Sequence, residues 1–330
     1  MREFDYRRAQ DVQHALALLA ADPEARYLGG GTNLVDLMKT GVERPTRLVD
    51  VRELPLDGIE PTAEGGLRIG ATVTNSDLAA HPGVRRHHPA LAQAVLAGAS
   101  GQLRNMATVG GNLLQRTRCG YFTDVSRPCN KRVPGSGCSA VTGEHHQHAV
   151  LGASDHCVAV HPSDMGVALT ALDAVVAYET GEGPGEKPIT DFYLPVGDTP
   201  HRETALPPGA LITHLILPPP PAGARSRYRK VRERASYAFA IGSVAARLTV
   251  EDGRVAEARL ALGAVASRPW RAHAAEAVLT GAPADGATFA AAADAELAAA
   301  RPLPRNGYKV PLMRNLVVSV LTELAEEATR

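Results

Sequence analysis

Tyr27-Leu28-Gly29-Gly30-Gly31-Thr32-Asn33-Leu34-Val35 joins an extended lead-in, residues 26–28, to a run in which Leu34, Leu37 and Met38 recur at helical spacing. A strand, a glycine turn and a helix in that order leave bare backbone N–H groups at a helix N-terminus, which suits a pyrophosphate. An ordinary tight turn is the alternative. The dinucleotide pattern G-x-G-x-x-G fails, because Leu34 stands at the third glycine position. The Walker pattern fails too, because no Gly-Lys-Ser/Thr follows.

Further along, Thr108-Val109-Gly110-Gly111-Asn112-Leu113 follows Leu103-Arg104-Asn105. It again joins glycines to Thr and Asn, side chains that hydrogen-bond phosphate or ribose. Together the two loops read as two walls of one dinucleotide site. A third piece, His161-Pro162-Ser163-Asp164-Met165, opens an apolar helical run over 165–172. Ser163 reads as its N-cap, and Asp164 falls in the first turn, where the helix dipole favours negative charge. Asp164 is either part of a simple cap or an acceptor for ribose or adenine.

The chain around these loops has 330 residues and is 45% apolar, enough for two or three domains with sizeable cores. Thirty-five basic residues balance 35 acidic ones, which disfavours a nucleic-acid binder, and 4% aromatics argue against base-stacking platforms. No apolar run is long enough for a membrane span. Met1-Arg2-Glu3-Phe4-Asp5-Tyr6-Arg7-Arg8 lacks the apolar core of a secretory signal. The expected location is cytoplasmic, with periplasmic export open only as the passenger of a signal-bearing partner.

Val12, Leu16 and Leu19 share one helical face over 9–20, and 47–51 and 67–71 read as short strands. Pro218-Pro219-Pro220-Pro221 marks a domain boundary. Asp252-Gly253 between apolar runs at 241–250 and 255–265 predicts a β-hairpin. Helices follow over 272–279, 289–300 and from about 308 or 310 to 328, with Pro311 in the first turn of the last. This C-terminal part carries no metal or nucleotide motif, and its expected work is covering the cofactor and docking subunits.

All four cysteines, Cys119, Cys129, Cys138 and Cys157, lie in one Gly- and Pro-punctuated window. Two disulfides require an oxidising compartment. A structural zinc site usually draws on CxxC pairs, which are missing. An iron–sulfur cluster takes four thiolates with looser spacing. Buried unligated cysteines complete the alternatives. His145-His146-Gln147-His148 lacks the helix-spaced H-E-x-x-H pattern and reads as polar loop.

Gly29 to Asn33, Thr108 to Asn112 and Ser163-Asp164, in that order, resemble the FAD-binding subunit of molybdenum hydroxylases over nearly the whole chain. This is the middle subunit of xanthine dehydrogenase, aldehyde oxidoreductase and carbon monoxide dehydrogenase complexes. Cys119-Gly120-Tyr121-Phe122, Pro128-Cys129-Asn130-Lys131-Arg132, Pro134-Gly135-Ser136-Gly137-Cys138 and His156-Cys157 are similar to the YagS-like bacterial aldehyde oxidoreductase branch. In that branch the flavin subunit carries an extra [4Fe-4S] cluster.

The resemblance implies an α+β fold. A PCMH-type FAD-binding domain of two α/β subdomains spans 1–222, with an iron–sulfur insertion at 117–158. A smaller C-terminal α+β domain with an antiparallel sheet and helices spans 223–330. It implies that Gly29, Gly30, Gly31, Thr32, Asn33 and Leu34 cradle the pyrophosphate of a noncovalent FAD. Thr108, Gly110, Gly111 and Asn112 would close the other side, with Ser163 and Asp164 at the adenosine end. Lys230 matches a family lysine beside the flavin ring and is the expected catalytic group, its charge opposing that of a reduced flavin. A solvated basic run over 225–234 is the alternative. Leu151 or Val150 would shield the ring, or else belong to a buried apolar strand. Cys119, Cys129, Cys138 and Cys157 would ligate the cluster.

The implied function is an electron-transfer flavoprotein. A large molybdopterin-binding partner would oxidise the substrate, and a small partner with [2Fe-2S] clusters would pass electrons on to FAD. Rival readings are a stand-alone PCMH-type flavin oxidoreductase and a zinc-stapled structural or assembly protein.

Overall fold

The computed structural model describes residues 1–328, and its strands form three sheets. The first is parallel: β1 (Asp5–Arg8), β2 (Arg26–Leu28) and β3 (Arg47–Asp50), with β3 central. The helix Val12–Ala20 connects β1 to β2, begun by Asp11, whose carboxylate accepts from the His14 amide at 2.7 Å. Its Ala15 and Leu16 pack with Val49 and Val51. The crossover from β2 to β3 carries the glycine loop and the helix Leu34–Thr40. The loop therefore lies beyond the carboxyl end of a parallel strand, where α/β sheets bind ligands.

The second sheet is antiparallel, with β4 (Ile59–Pro61), β5 (Leu67–Gly70), β6 (Val175–Thr180), β7 (Gly183–Pro188) and β8 (Leu211–Leu217) in the order β4-β5-β8-β6-β7. The long excursion from β5 to β6 contains the second glycine loop, all four cysteines and the helix Asp164–Ala171. Every residue of that helix is buried, so its sequence shows little helical amphipathy. Residues 117–158 hold only two single-turn helices, Gly120–Thr123 and Ser139–Thr142, and the isolated bridges Cys129–Cys138 and Ser154–Cys157.

The third sheet is antiparallel: β9 (Arg225–Val231), β10 (Gly242–Glu251), β11 (Arg254–Gly263) and β12 (Trp270–Arg271). The β10–β11 hairpin turns at Asp252 (φ 48°) and Gly253 (φ 73°), as the Asp-Gly pair predicts. Both faces are buried, and strand alternation divides them. Ala245 and Ala261 join the core of the second sheet with Val167 and Leu169. Val244, Ala246, Leu260 and Leu262 pack beneath the helices His273–Leu279, Gly286–Leu297 and Lys309–Ala328. Pro311 falls in the first turn of the last helix, where the missing amide is harmless.

Candidate functional site

The two glycine loops touch. A Cβ built on Gly30 would lie 1.8 Å from the Met106 carbonyl oxygen, and one on Gly29 would lie 2.8 Å from Thr108 Oγ1. Gly30 is thus a packing glycine, whereas Gly31 is needed for its conformation, φ +72°. Among the described residues, the amides of Gly30, Gly31, Thr32 and Asn33 have no hydrogen-bond acceptor. Asn33 precedes the helix without capping it. Its Oδ1 accepts the Arg116 amide at 2.9 Å, and its buried Nδ2 has no partner. All these groups face a cavity of ≈ 700 Å³, within the range of organic-cofactor sites.

The second loop, unlike the first, keeps its amides bonded. Val109 N–H donates to Val73 O, Gly110 N–H to Ala71 O, Gly111 N–H to Thr108 Oγ1 and Asn112 N–H to Thr108 O. Two of these amides are spent on the backbone at 71–73 and two on the Thr108 cap of the short helix Val109–Leu113, so this wall offers surface and side chains instead. Thr108, Gly110, Gly111 and Asn112 do line the cavity, as do Gly29 to Leu34, Asp164 and Lys230.

Ser163 is the N-cap read from the sequence, accepting from Gly166 N–H at 2.8 Å. Its hydroxyl also donates to Asn112 Oδ1 at 2.7 Å, linking the third piece to the second loop. Ser163 does not line the larger cavity. It borders a second cavity of ≈ 410 Å³.

Asp164 and Lys230 meet. Lys230 Nζ donates to Asp164 Oδ2 at 2.7 Å and to the Ala97 carbonyl at 3.1 Å, and Tyr228 donates to Asp164 Oδ1 at 2.5 Å. The Lys230 side chain is 3% exposed, so the solvated-run alternative fails for this residue. Burial and the neighbouring carboxylate push the Tyr228 hydroxyl well above its ordinary range. The expectation that Asp164 serves the adenosine end and Lys230 the flavin ring needs correcting. Groups one hydrogen bond apart cannot sit at opposite ends of an extended dinucleotide. Lys230 also offers no unpaired charge, because Asp164 already neutralises it.

Leu151 does not reach either of these cavities. Val150 N–H and Leu151 N–H both donate to Val265 O, and the two side chains pack into the core under the C-terminal helices. The buried-apolar alternative holds, because the third sheet covers this stretch.

Sequence reading missed Arg118, Tyr237 and Phe239. The Arg118 guanidinium lies 4.9 Å from the Phe239 ring centre, and its buried Nε has no partner. Burial pulls its pKa down. Both residues border both cavities, and Tyr237 and Phe239 are half exposed. Two exposed aromatics after the basic strand were the available signal. Arg116 was missed as well. It pairs with Glu43 at 2.8 Å and Glu203 at 2.6 Å, while Lys131 Nζ reaches Glu203 at 2.9 Å. Burial raises the Glu203 carboxyl, but Lys131 and Arg116 outweigh it and hold the pKa low. This network ties the cysteine segment to the glycine loop.

The four cysteines are free thiols lining one small cavity. Among the described residues, no three His, Cys, Asp or Glu side chains are gathered closely enough to hold a single metal ion. Backbone amides point at the sulfurs: Tyr121 and Phe122 at Cys119, Ala140, Val141 and Val158 at Cys138, and Ala159 at Cys157. The Cys157 thiol bonds Cys138, which lowers the Cys138 pKa and, with burial, raises that of Cys157. His148 is not a free polar loop residue: its Nε2 lies 3.2 Å from Cys119 Sγ. His145 is buried too, its Nδ1 3.2 Å from the Ala140 carbonyl.

Comparison with known proteins agrees with this geometry. A model described as the FAD binding domain in molybdopterin dehydrogenase matches residues 2–220, and the CO dehydrogenase flavoprotein C-terminal domain matches 226–327. The aldehyde oxidoreductase FAD-binding subunit PaoB of Escherichia coli (strain K12) is 53% identical over 329 residues, covering 99% of this chain and 100% of that one. The carbon monoxide dehydrogenase medium chain of Afipia carboxidovorans is 28% identical, over 84% and 80%. Carbon monoxide dehydrogenase from Hydrogenophaga pseudoflava superposes with a TM-score of 0.78 at 26% identity, covering 99% and 98% of the two chains. Quinoline 2-oxidoreductase from Pseudomonas putida 86 gives 0.77 at 25% identity, over 100% and 99%. Two touching glycine loops around a cofactor-sized cavity, and similarity along the full length, make this chain a member of the FAD-binding subunits of the molybdenum hydroxylases.

Proposed function

We propose that this chain is the electron-transferring flavoprotein subunit of an aldehyde-oxidising molybdenum hydroxylase. A large molybdopterin-binding partner oxidises the substrate, and a small [2Fe-2S] partner relays its electrons here. The observation that carries the reading is the run of unpartnered amides from Gly30 to Asn33, with Asn33 Nδ2, on a ≈ 700 Å³ cavity. Unpaired donors at a helix start suit the two charges of a diphosphate. Gly29 to Leu34 would hold it from one side, with Thr108, Gly110, Gly111 and Asn112 opposite. Asp164 and Lys230 act as one neutral, buried pair on the cavity wall, orienting a cofactor edge by hydrogen bonds rather than by net charge. Bound FAD supplies the exchange between one-electron delivery and two-electron reduction of an acceptor. Division of the chain at 222/223 is part of this proposal, supported by the proline run between β8 and β9.

FAD is held noncovalently in this reading, and Cys119, Cys129, Cys138 and Cys157 hold a [4Fe-4S] cluster in the 117–158 insertion. Support comes from four thiols around one cavity, with N–H groups aimed at the sulfurs of Cys119, Cys138 and Cys157, the environment a metal-bound thiolate favours. Co-expression with both partners tests the whole. A yellow complex that releases its flavin on acid precipitation, with iron and sulfide beyond the partner's share, is expected. A colourless chain, or flavin retained in the acid pellet, contradicts the corresponding part.

A further inference from the structure

Among the described residues, His148 Nε2 is the one side-chain nitrogen within hydrogen-bond distance of a cysteine sulfur, Cys119 Sγ at 3.2 Å. The imidazole is held in place from the C-terminal unit. Its own carbonyl accepts from Asn306 Nδ2 at 3.2 Å and Lys309 Nζ at 3.1 Å, and both of those residues are fully buried. Lys309 Nζ also grips the carbonyls of Gln147 and Ala264, and Asn306 grips that of Ala149. The ring is therefore fixed over Cys119 by the start of the helix Lys309–Ala328, not by its own loop alone. The other ring nitrogen, Nδ1, is buried without a partner. A neutral imidazole carries one N–H. Facing a metal-bound thiolate, that hydrogen belongs on Nε2, where an acceptor exists.

The geometry points to His148 as a positioning residue that sets the reduction potential of the cluster held by Cys119. This inference rests on the cluster reading above. Reduction adds negative charge that the ligand sulfurs share, so an N–H···S bond stabilises the reduced form more than the oxidised one and raises the potential. No atom is transferred. Reduction would add one electron to the cluster, and His148 would keep its proton.

The test is an EPR-monitored potentiometric titration of the purified complex, following the signal that disappears in Cys129→Ser. In His148→Leu the one-electron equilibrium should move at least tenfold away from the reduced cluster, about 59 mV. His148→Gln, which keeps a donor of similar reach, should restore most of that shift. His148→Leu with its iron intact and an unchanged midpoint overturns the inference. A second measurement does not depend on the variant's folding: the wild-type complex with isotopically labelled histidine nitrogen should show a weak nitrogen coupling in the reduced-cluster signal, and its absence also overturns the inference. Wild-type complex whose only iron belongs to the partner overturns the cluster reading instead, a separate outcome.

Discussion

Alanine at Gly30 probes the seam between the two loops. Its Cβ would stand 1.8 Å from the Met106 carbonyl oxygen, 2.5 Å from the Met106 carbonyl carbon and 2.9 Å from Ala107 Cα. All three are backbone atoms, so no rotamer change relieves the clash, and the loops must part by about 1.2 Å to reach the closest tolerable contact. Overpacking of this kind costs about 1–3 kcal/mol, and a backbone obstacle puts it at the upper end. That cost divides between fold and cofactor. Borne entirely by binding, about 3 kcal/mol weakens FAD by roughly 150-fold. Borne by the fold, it lowers the melting temperature by several degrees. The assay is bound flavin per chain, FAD affinity and thermal unfolding on the same preparations. Two companions calibrate it. Gly31→Ala meets only side-chain atoms, Val35 Cγ2 at 3.2 Å and Leu28 Cδ1 at 3.4 Å, which must give by a few tenths of an ångström, and its φ of +72° costs about 1–2 kcal/mol without prising the loops apart. Gly101→Ala meets nothing within 4 Å and should be silent. Gly30→Ala with wild-type flavin content and melting temperature would refute the argument that this seam builds the site.

Lys230→Met or Asp164→Asn alone strands a buried partner, and each should destabilise the chain by about 3–5 kcal/mol; the double variant should recover much of that in a denaturation-based double-mutant cycle. Cys129→Ser should lose the broad iron–sulfur absorption and the matching iron while keeping flavin. Burial holds the Lys309 ammonium down at about 7, against an ordinary 10.5. The unfolded chain therefore binds the extra proton between those values, so stability should rise with pH from about 7 to 10.5, by up to about 1.4 kcal/mol per pH unit. Denaturant midpoints at either end of that window should separate in the wild type and converge in Lys309→Met.

Local signals were legible and distant pairings were not. Three glycines before Thr32 and Asn33 announced the loop, and Asp252-Gly253 announced its hairpin, because each depends on backbone conformation within a few residues. Ser163 declared itself a cap for the same reason. Asp164 and Lys230 were each singled out, yet their bond spans 66 positions, and only the packing of the helix Asp164–Ala171 against β10 and β11, with β9 paired alongside β10, creates it. Leu151 was misjudged because an apolar run records that it is buried and not what buries it. His148 escaped because a histidine beside a sulfur 29 positions away leaves no periodic trace.

The proline run at 218–221 leads from β8 of the second sheet to β9 of the third, with Ala222 and Gly223 exposed just after it. Residues after that link are bonded to residues before it independently of the link: Tyr228 and Lys230 to Asp164, Asn306 and Lys309 to the backbone at 147–149. A protease nick at 222–223 should accordingly give two bands on a denaturing gel but one native, still yellow particle. The covalent tether is dispensable once the fragments have found each other.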